Sequence, residues 1–239
     1  MGLAMEGRAS DSPFVERVWR SRSERVDRMV SVASPHWELV AWEAAGRVNV
    51  GLQGPESRGS EAPVPEDATF LGITFALGTW MPHLAVSRLL DRSAPLPDAT
   101  RRSFWLKGSA WRLPTYDNAE AFVRRLVRED VLVSDPVVTS VLAGGAPGVS
   151  ERTAQRRFVA ATGLSRGAIR GIERARRAAL LIQDGVPAGD VVHRLGYFDQ
   201  PHLARSLSRF VGRTATQLSA RTPEDAMSLP YKTEVLGSA

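Results

Sequence analysis

The feature that constrains this chain most is an internal repeat at an offset of 49 residues. Residues 150–165, SERTAQRRFVAATGLS, align with residues 199–214, DQPHLARSLSRFVGRT. The alignment sets a helix-capping residue on another (Ser150, Asp199), apolar on apolar (Ala154 with Leu203, Phe158 with Leu207), and Arg156 on Arg205. It also matches Gly163 with Gly212 and helix-opening Ser165 with Thr214. A capping side chain, a run of apolar residues at helical spacing and a closing glycine are start and stop signals of a helix. The chain is therefore expected to form one helix-and-exit unit twice. On a helical wheel the first copy turns Ala154, Phe158 and Ala161 inward and Arg152 and Arg156 outward. The second turns Leu203, Leu207 and Phe210 inward and Arg205 and Arg209 outward, so each copy offers solvent an i, i+4 arginine pair.

Between the copies, Ala168, Ile172, Ala175, Ala179 and Ile182 form one stripe of a long helix, and Arg166, Arg170, Arg174 and Arg177 form the opposite stripe. A connecting helix of about 19 residues is roughly 28 Å long. Successive major-groove faces of a duplex lie ~34 Å apart. Two arginine-bearing helices about one DNA turn apart suit adjacent major grooves, where Arg pairs bidentately with guanine O6 and N7. Arg throughout, rather than Lys, fits planar, forked recognition of phosphate and base.

Charge and composition divide the chain at the same place. Residues 150–220 hold 12 Arg and no Lys against 5 acids, a balance of +7, while the other 168 residues carry 19 bases and 21 acids. All six tryptophans precede residue 112. In that first half, Met29 to Ala33, Leu39 to Trp42, Val48 to Leu52 and Phe70 to Ala76 are β-branched or aromatic runs separated by Gly, Pro and Ser, which predicts strands. Leu84 to Leu90 reads as a short helix and Phe104 to Leu113 as a strand. A capping box of Asp117 with Glu120 opens a helix that buries Phe122, Leu126 and Val127. After Ser134 the pattern is helical throughout, with segments at 136–143, 150–161, 165–183, 187–194 and 199–211. The expected class is α+β: a β-rich N-terminal domain over 13–133 and an all-α, double helix-turn-helix C-terminal domain with a long linker helix over 134–220. Polar tails at 1–12 and 221–239 are expected to be mobile.

The stretch SERTAQRRFVAATGLS, the linker ending in ERARRAALLIQDG, and GYFDQPHLARSLSRFVGRTATQ resemble the AraC/XylS family of bacterial transcription regulators. The most specific part is the pattern met at Gly196, Tyr197, Asp199, Gln200, His202, Leu203, Arg205, Leu207, Gly212 and Thr214. The resemblance implies a DNA-binding domain of two helix-turn-helix units joined by a long helix, over about residues 136–220. By position, Arg152, Gln155 and Arg156 match the base- and phosphate-contacting face of the family's first recognition helix, and Gln200, Pro201, His202 and Arg205 that of the second. Arg209 extends that second face, and Arg166 and Arg170 on the linker are phosphate contacts. PFVERVWRSRS, LQGPESR and FLGITFALGTWMPHL resemble the β-rich domain of a subset of these regulators, which implies a small-molecule effector or a homodimer as partner beside double-stranded DNA. Three positions depart from the pattern. Only Gly144 to Val149, with three glycines and a proline, fills the place of the helix that supports the first recognition helix, so the first unit reads as truncated unless Pro136 to Ala143 takes over. Thr214-Ala215 replaces the family's Thr-Pro, and Pro201 offers a base apolar contact alone.

Other classes are narrowed by what the sequence holds. Without cysteine, disulfide scaffolds, Cys-ligated metals and thiol nucleophiles are excluded, and so are the thiol-dependent alkyl-transfer repair proteins that carry a related DNA-binding domain. The four histidines form no i, i+4 pair, and Gly144 to Gly148 lacks the Lys-Ser/Thr of a phosphate loop, so no metal, no cofactor and no catalytic residue is expected. No apolar run approaches the roughly 18 residues of a spanning helix, which with the absence of a leader pattern predicts a cytoplasmic protein off the membrane. Two alternatives stand beside a DNA-binding regulator. One is a protein-interaction module with a degenerate helix-turn-helix that pairs with another regulator; the other is a small-molecule-binding or enzymatic N-terminal domain. The tryptophans read chiefly as core, with an aromatic ligand pocket as their other use. Tyr197 and Phe198 read as packing and turn residues, and His193 as structural or exposed.

Overall fold

A computed structural model describes residues 4–24, 28–146, 148–220 and 227–228. In chain order the strands are β1 (Ala4–Ala9), β2 (Val15–Arg22), β3 (Arg28–Ser31), β4 (Glu38–Ala44), β5 (Arg47–Gln53), β6 (Ser60–Pro63), β7 (Thr69–Phe75), β8 (Thr79–Trp80), β9 (Ser93–Pro95), β10 (Ser103–Leu106), β11 (Ser109–Arg112) and β12 (Val133–Ser134). A short 3-10 helix spans Val86–Leu89. The helices are α1 (Ala119–Arg128), α2 (Pro136–Leu142), α3 (Glu151–Thr162), α4 (Arg166–Gln183), α5 (Ala188–Leu195), α6 (Gln200–Phe210) and α7 (Ala215–Ala220). The chain is α+β: among the described residues all strands, with α1, lie ahead of residue 135, and only helices follow it.

Six strands form one antiparallel sheet in the order β1-β2-β7-β4-β5-β9. Alternation along each strand sends Val18, Leu39, Ala41, Val50, Leu52, Ile73 and Phe75 to one face. There they meet Phe104 and Trp111 of the β10–β11 hairpin and Phe122 and Leu126 of α1 in one buried cluster. The register on the opposite face aligns Trp19, Gly72, Val40 and Gly51 in a row across β2, β7, β4 and β5, with Ser21, Phe70, Trp42 and Asn49 in the next. Gly72 has a packing reason: a Cβ there would lie 2.0 Å from the Trp19 indole, so the missing side chain makes room for the ring. This second face is spanned by the two-stranded β3–β6 ribbon.

The helices assemble around α4. Its first half, Ile169 and Ile172, packs with Val137, Val138 and Val141 of α2 and with Ala154, Phe158 and Ala161 of α3. Its second half, Ala175, Ala178, Ala179 and Ile182, packs with Val191 and Val192 of α5, Leu203 and Leu207 of α6 and Leu218 of α7. The β-rich half enters both clusters through neighbouring residues, Val32 in the second and Ala33 in the first.

Several expectations are corrected. The polar segment expected to be mobile over 1–12 is a strand over Ala4–Ala9, because β2 offers it an edge to pair with. Of the tail expected over 221–239, only Met227 and Ser228 are described; Met227 bridges Val30, and Ser228 Oγ accepts from the Val32 amide at 2.8 Å. Phe104 to Leu113 is a hairpin whose turn, Lys107-Gly108, has positive φ at both residues. The capping box of Asp117 with Glu120 does not form. Asn118 stands at the start of α1 with no side-chain cap, and the Glu120 carboxylate instead takes Arg8 of β1, with Nη2 to Oε2 at 2.9 Å. That guanidinium pulls the Glu120 carboxyl down to about 2, against partial burial.

Candidate nucleic-acid interface

Both copies of the repeat are capped helices, as their spacing predicts. The Ser150 hydroxyl accepts from the Thr153 amide at 3.3 Å at the start of α3, and the Asp199 carboxylate accepts from the His202 amide at 2.7 Å at the start of α6. Gly163 closes α3 at φ 75°, and Gly212 follows α6 at φ 71°, both left-handed positions that favour glycine. Thr214 opens α7 with a full capping box: its hydroxyl accepts from the Gln217 amide at 3.2 Å, and Gln217 Oε1 accepts from the Thr214 amide at 2.8 Å.

The expected outward residues are outward. Arg152, Gln155 and Arg156 on α3, Arg166 and Arg170 on α4, and Gln200, Pro201, Arg205 and Arg209 on α6 are all exposed. Among the described residues, none of these arginines enters an ion pair with an acid. A set of unneutralised guanidinium groups on two helices and their connector is a surface suited to a polyanion. Gln200 sits beside α5, where a Cβ on Gly189 would lie 3.6 Å from its Nε2. Arg209 lays its guanidinium 5.0 Å from the Phe210 ring centre, at the end of α6 nearest the β-rich half. His202 is half-buried: its ring stands edge-on to Tyr197, and its Nδ1 accepts from the Phe198 amide at 3.4 Å. It fills the first turn of α6.

One residue is placed differently from the sequence reading. Arg174, expected on the solvent stripe of α4, lies 4.5 Å over the Tyr197 ring, and its Nη1 donates to the Gly196 carbonyl at 3.4 Å. It closes the end of α5. Of Tyr197 and Phe198, read as packing and turn residues, Tyr197 is buried while Phe198 lies in the turn and is 90% exposed. An apolar ring at the entry to α6, beside Gln200 and Pro201, belongs to the same outer face. Another residue was missed: Arg176 of α4 is 3% exposed, and burial lowers its pKa to about 10. The one available signal was its place next to the apolar stripe.

The first copy has a supporting helix. Described residues of Gly144 to Val149 form no helix, and Pro147 lies outside the described residues, but α2 packs its three valines against α3. Asp135 caps α2 by accepting from the Val137 amide at 2.9 Å, and also accepts from Arg157 Nε of α3 at 2.9 Å. The geometry is thus helix, turn, capped helix on each side of α4.

Residues 145–221 match the family profile of a helix-turn-helix domain. The match supports the AraC-type unit that the sequence resembles. It starts after α2, so the helix that supports α3 lies outside it. No curated protein and no solved structure matches the chain. Both helix-turn-helix exits lean on the β-rich half. A Cβ on Gly163 would come within 3.3 Å of Pro55, and one on Gly212 within 3.2 Å of Val30. The Ala33 and Gly59 amides donate to the Phe210 and Arg209 carbonyls, each at 2.8 Å. Among the described residues no helix is long and apolar enough to cross a membrane, and no group of three or more His, Cys, Asp or Glu is placed to hold a metal ion.

Proposed function

We propose that this chain is a sequence-specific, AraC-type DNA-binding transcriptional regulator whose α3 and α6 read adjacent major grooves. One observation carries the reading. The helix-turn-helix region holds two capped helices that expose matched arginine pairs, free of ion pairs among the described residues, at opposite ends of an 18-residue spine. Arg152, Gln155 and Arg156 on α3, and Gln200, Pro201, His202 and Arg205 on α6, form the base-facing set, with Arg209 and Phe198 beside the second. Arg166 and Arg170 take phosphates, as do the N-terminal amides of the helices. Residues 13–133 act as the sensing and association domain, so the protein works as a regulator in the cytoplasm rather than as an enzyme.

Selection of bound fragments from random duplex DNA tests this reading. The expected result is a site with two conserved blocks about one helical turn apart, bound with an affinity that falls steeply with salt. Failure to enrich any sequence, or a flat salt response, overturns it. The eight-residue turn between α2 and α3 favours a second reading, in which the first unit is degenerate and pairs with another protein. A site with one block alone supports that version.

A further inference from the structure

A cavity of about 750 Å³ lies between the open face of the main sheet and the β3–β6 ribbon. That volume falls within the range of small-molecule sites. Trp19, Trp42 and Phe70 supply its aromatic floor, projecting from β2, β4 and β7. Glu38 lines the same space, next to the row that holds Trp19. One of its carboxylate oxygens, Oε1, accepts from the Thr74 hydroxyl at 2.7 Å. Among the described residues Glu38 enters no ion pair, and the two bases on the lining, Arg58 and Arg92, are exposed. His36 donates from its ring Nδ1 to the Phe75 carbonyl at 2.9 Å. Burial lowers its pKa, so the imidazole adds no competing charge near neutral pH.

The segment from Gly54 to Ser60 has two sides. Gly54, Glu56, Arg58 and Ser60 line the cavity. Two of the residues between them face the helical half: Pro55 abuts Gly163 at the exit of the first helix-turn-helix unit, and Gly59 abuts Gly212 at the exit of the second. A Cβ on Gly59 would lie 2.7 Å from the Gly212 nitrogen, so this contact is backbone against backbone. The segment is tied along its length, through Gly54 to Arg92, Glu56 to Ser34, and Gly59 to Arg209. One short strap is therefore the wall of the cavity and the seat of both units.

We infer that this cavity binds an amphipathic organic amine, its aromatic body on Trp19, Trp42 and Phe70 and its ammonium on the Glu38 carboxylate, and that the strap of residues 54–60 passes occupancy to both helix-turn-helix exits. Ammonium groups are held by aromatic faces and form charge-assisted hydrogen bonds with carboxylates. The buried Arg176 of α4 also lies within electrostatic reach of this carboxylate, so an entering ammonium shares it with that guanidinium. The regulatory consequence rests on the function proposed above; the binding itself does not.

The test uses the full chain without DNA, so its failure is separate from a failure of the DNA-binding reading. Tryptophan fluorescence and titration calorimetry follow 2-phenylethylamine, tryptamine and 1-naphthylmethylamine, each beside its neutral alcohol and its carboxylate counterpart. The amines are expected to bind about tenfold or more tightly than their counterparts, and Glu38→Gln, which keeps the Thr74 hydrogen bond, to remove that preference. Trp42→Leu should weaken amine and alcohol alike. Amide exchange at Gly59 and Gly212 should shift severalfold when the amine binds to wild type and stay unchanged in Glu38→Gln. Binding that ignores the ammonium, or no binding at millimolar concentrations across the series, overturns the ligand class. Amine binding that leaves both glycine amides unmoved overturns the coupling.

Discussion

In the second helix-turn-helix unit, α5 and α6 are joined by the four residues Gly196–Asp199; in the first, α2 and α3 are separated by eight, Ala143–Ser150. The short turn is locked from within. Tyr197 is buried with its hydroxyl 3.2 Å from Ser206 Oγ, Arg174 covers its ring, and His202 stands against its edge. Among its described residues the long turn has no such plug, and its Val149 is exposed. What fixes the first unit lies at its ends: Asp135 joins α2 to Arg157 of α3, while the Asp135 amide donates to the Gly78 carbonyl at 3.1 Å. Val138 packs on the same glycine, where a Cβ would meet it at 3.0 Å. Both units lean on the β-rich half at their exits, but the helix pair of the second is locked within its own turn, whereas that of the first is held at its ends, partly by the β-rich half. A repeated sequence signature specifies the helix and its cap, but leaves the fixing of the helix pair to whatever surrounds each copy.

The largest effect that probes this contrast is expected from Asp135→Ala. It removes the cap of α2 and the charged partner of Arg157 together, and should cost about 2–3 kcal/mol in denaturant unfolding. Amide exchange should accelerate in α2 and α3 while α5 and α6 stay protected; equal loosening of both units would break the contrast. Next come the paired arginines. Arg205→Ala should lose about 1–3 kcal/mol of affinity at the selected site and relax preference at one base pair. Arg156→Ala, on the unit with the longer turn, should lose about 1 kcal/mol. Equal losses would show that a longer turn does not handicap docking, whereas no loss at Arg156 would leave α6 as sole reader and favour the protein-interaction reading.

What was legible in the sequence was local. Caps, closing glycines and helical spacing placed α3, α4 and α6 within a residue or two, because those signals act within one or two turns of the chain. The wheel also gave the exposed arginines correctly wherever the helix face alone decides exposure. It failed at Arg174, whose fate depends on where α5 ends and Tyr197 turns in; the same inward turn leaves Phe198 exposed. Strands β1 and β2 escaped notice because AMEGRA and VERVWRSR interleave charged residues with apolar ones; β2 is a strand by virtue of β7, some 50 residues later, and β1 by virtue of β2. An aromatic pocket could be raised from the tryptophans, but its place in the fold was out of reach. Trp19 and Trp42 come from different strands, and only the register through Phe70 and Gly72 brings them to one face.

The smallest effect concerns the two caps, and it separates what the repeat shares from what it does not. Asp199 presents a carboxylate 2.7 Å from the amide it caps, whereas the Ser150 hydroxyl stands 3.3 Å from its own and donates to Thr153 Oγ1 at 2.9 Å. A short bond from a charged acceptor at the positive end of a helix gains both from the hydrogen bond and from the helix dipole. Asp199→Ala should therefore cost about 1–2 kcal/mol, and Ser150→Ala about 0.5–1 kcal/mol, in thermal unfolding. Asp199→Asn divides the larger figure, since asparagine keeps the acceptor and drops the charge. Full recovery in Asn assigns the difference to hydrogen-bond geometry, and partial recovery assigns the remainder to the dipole. If Ser150→Ala proves as costly as Asp199→Ala, the two units are capped with equal strength, and their difference lies wholly in the turns that lead into them.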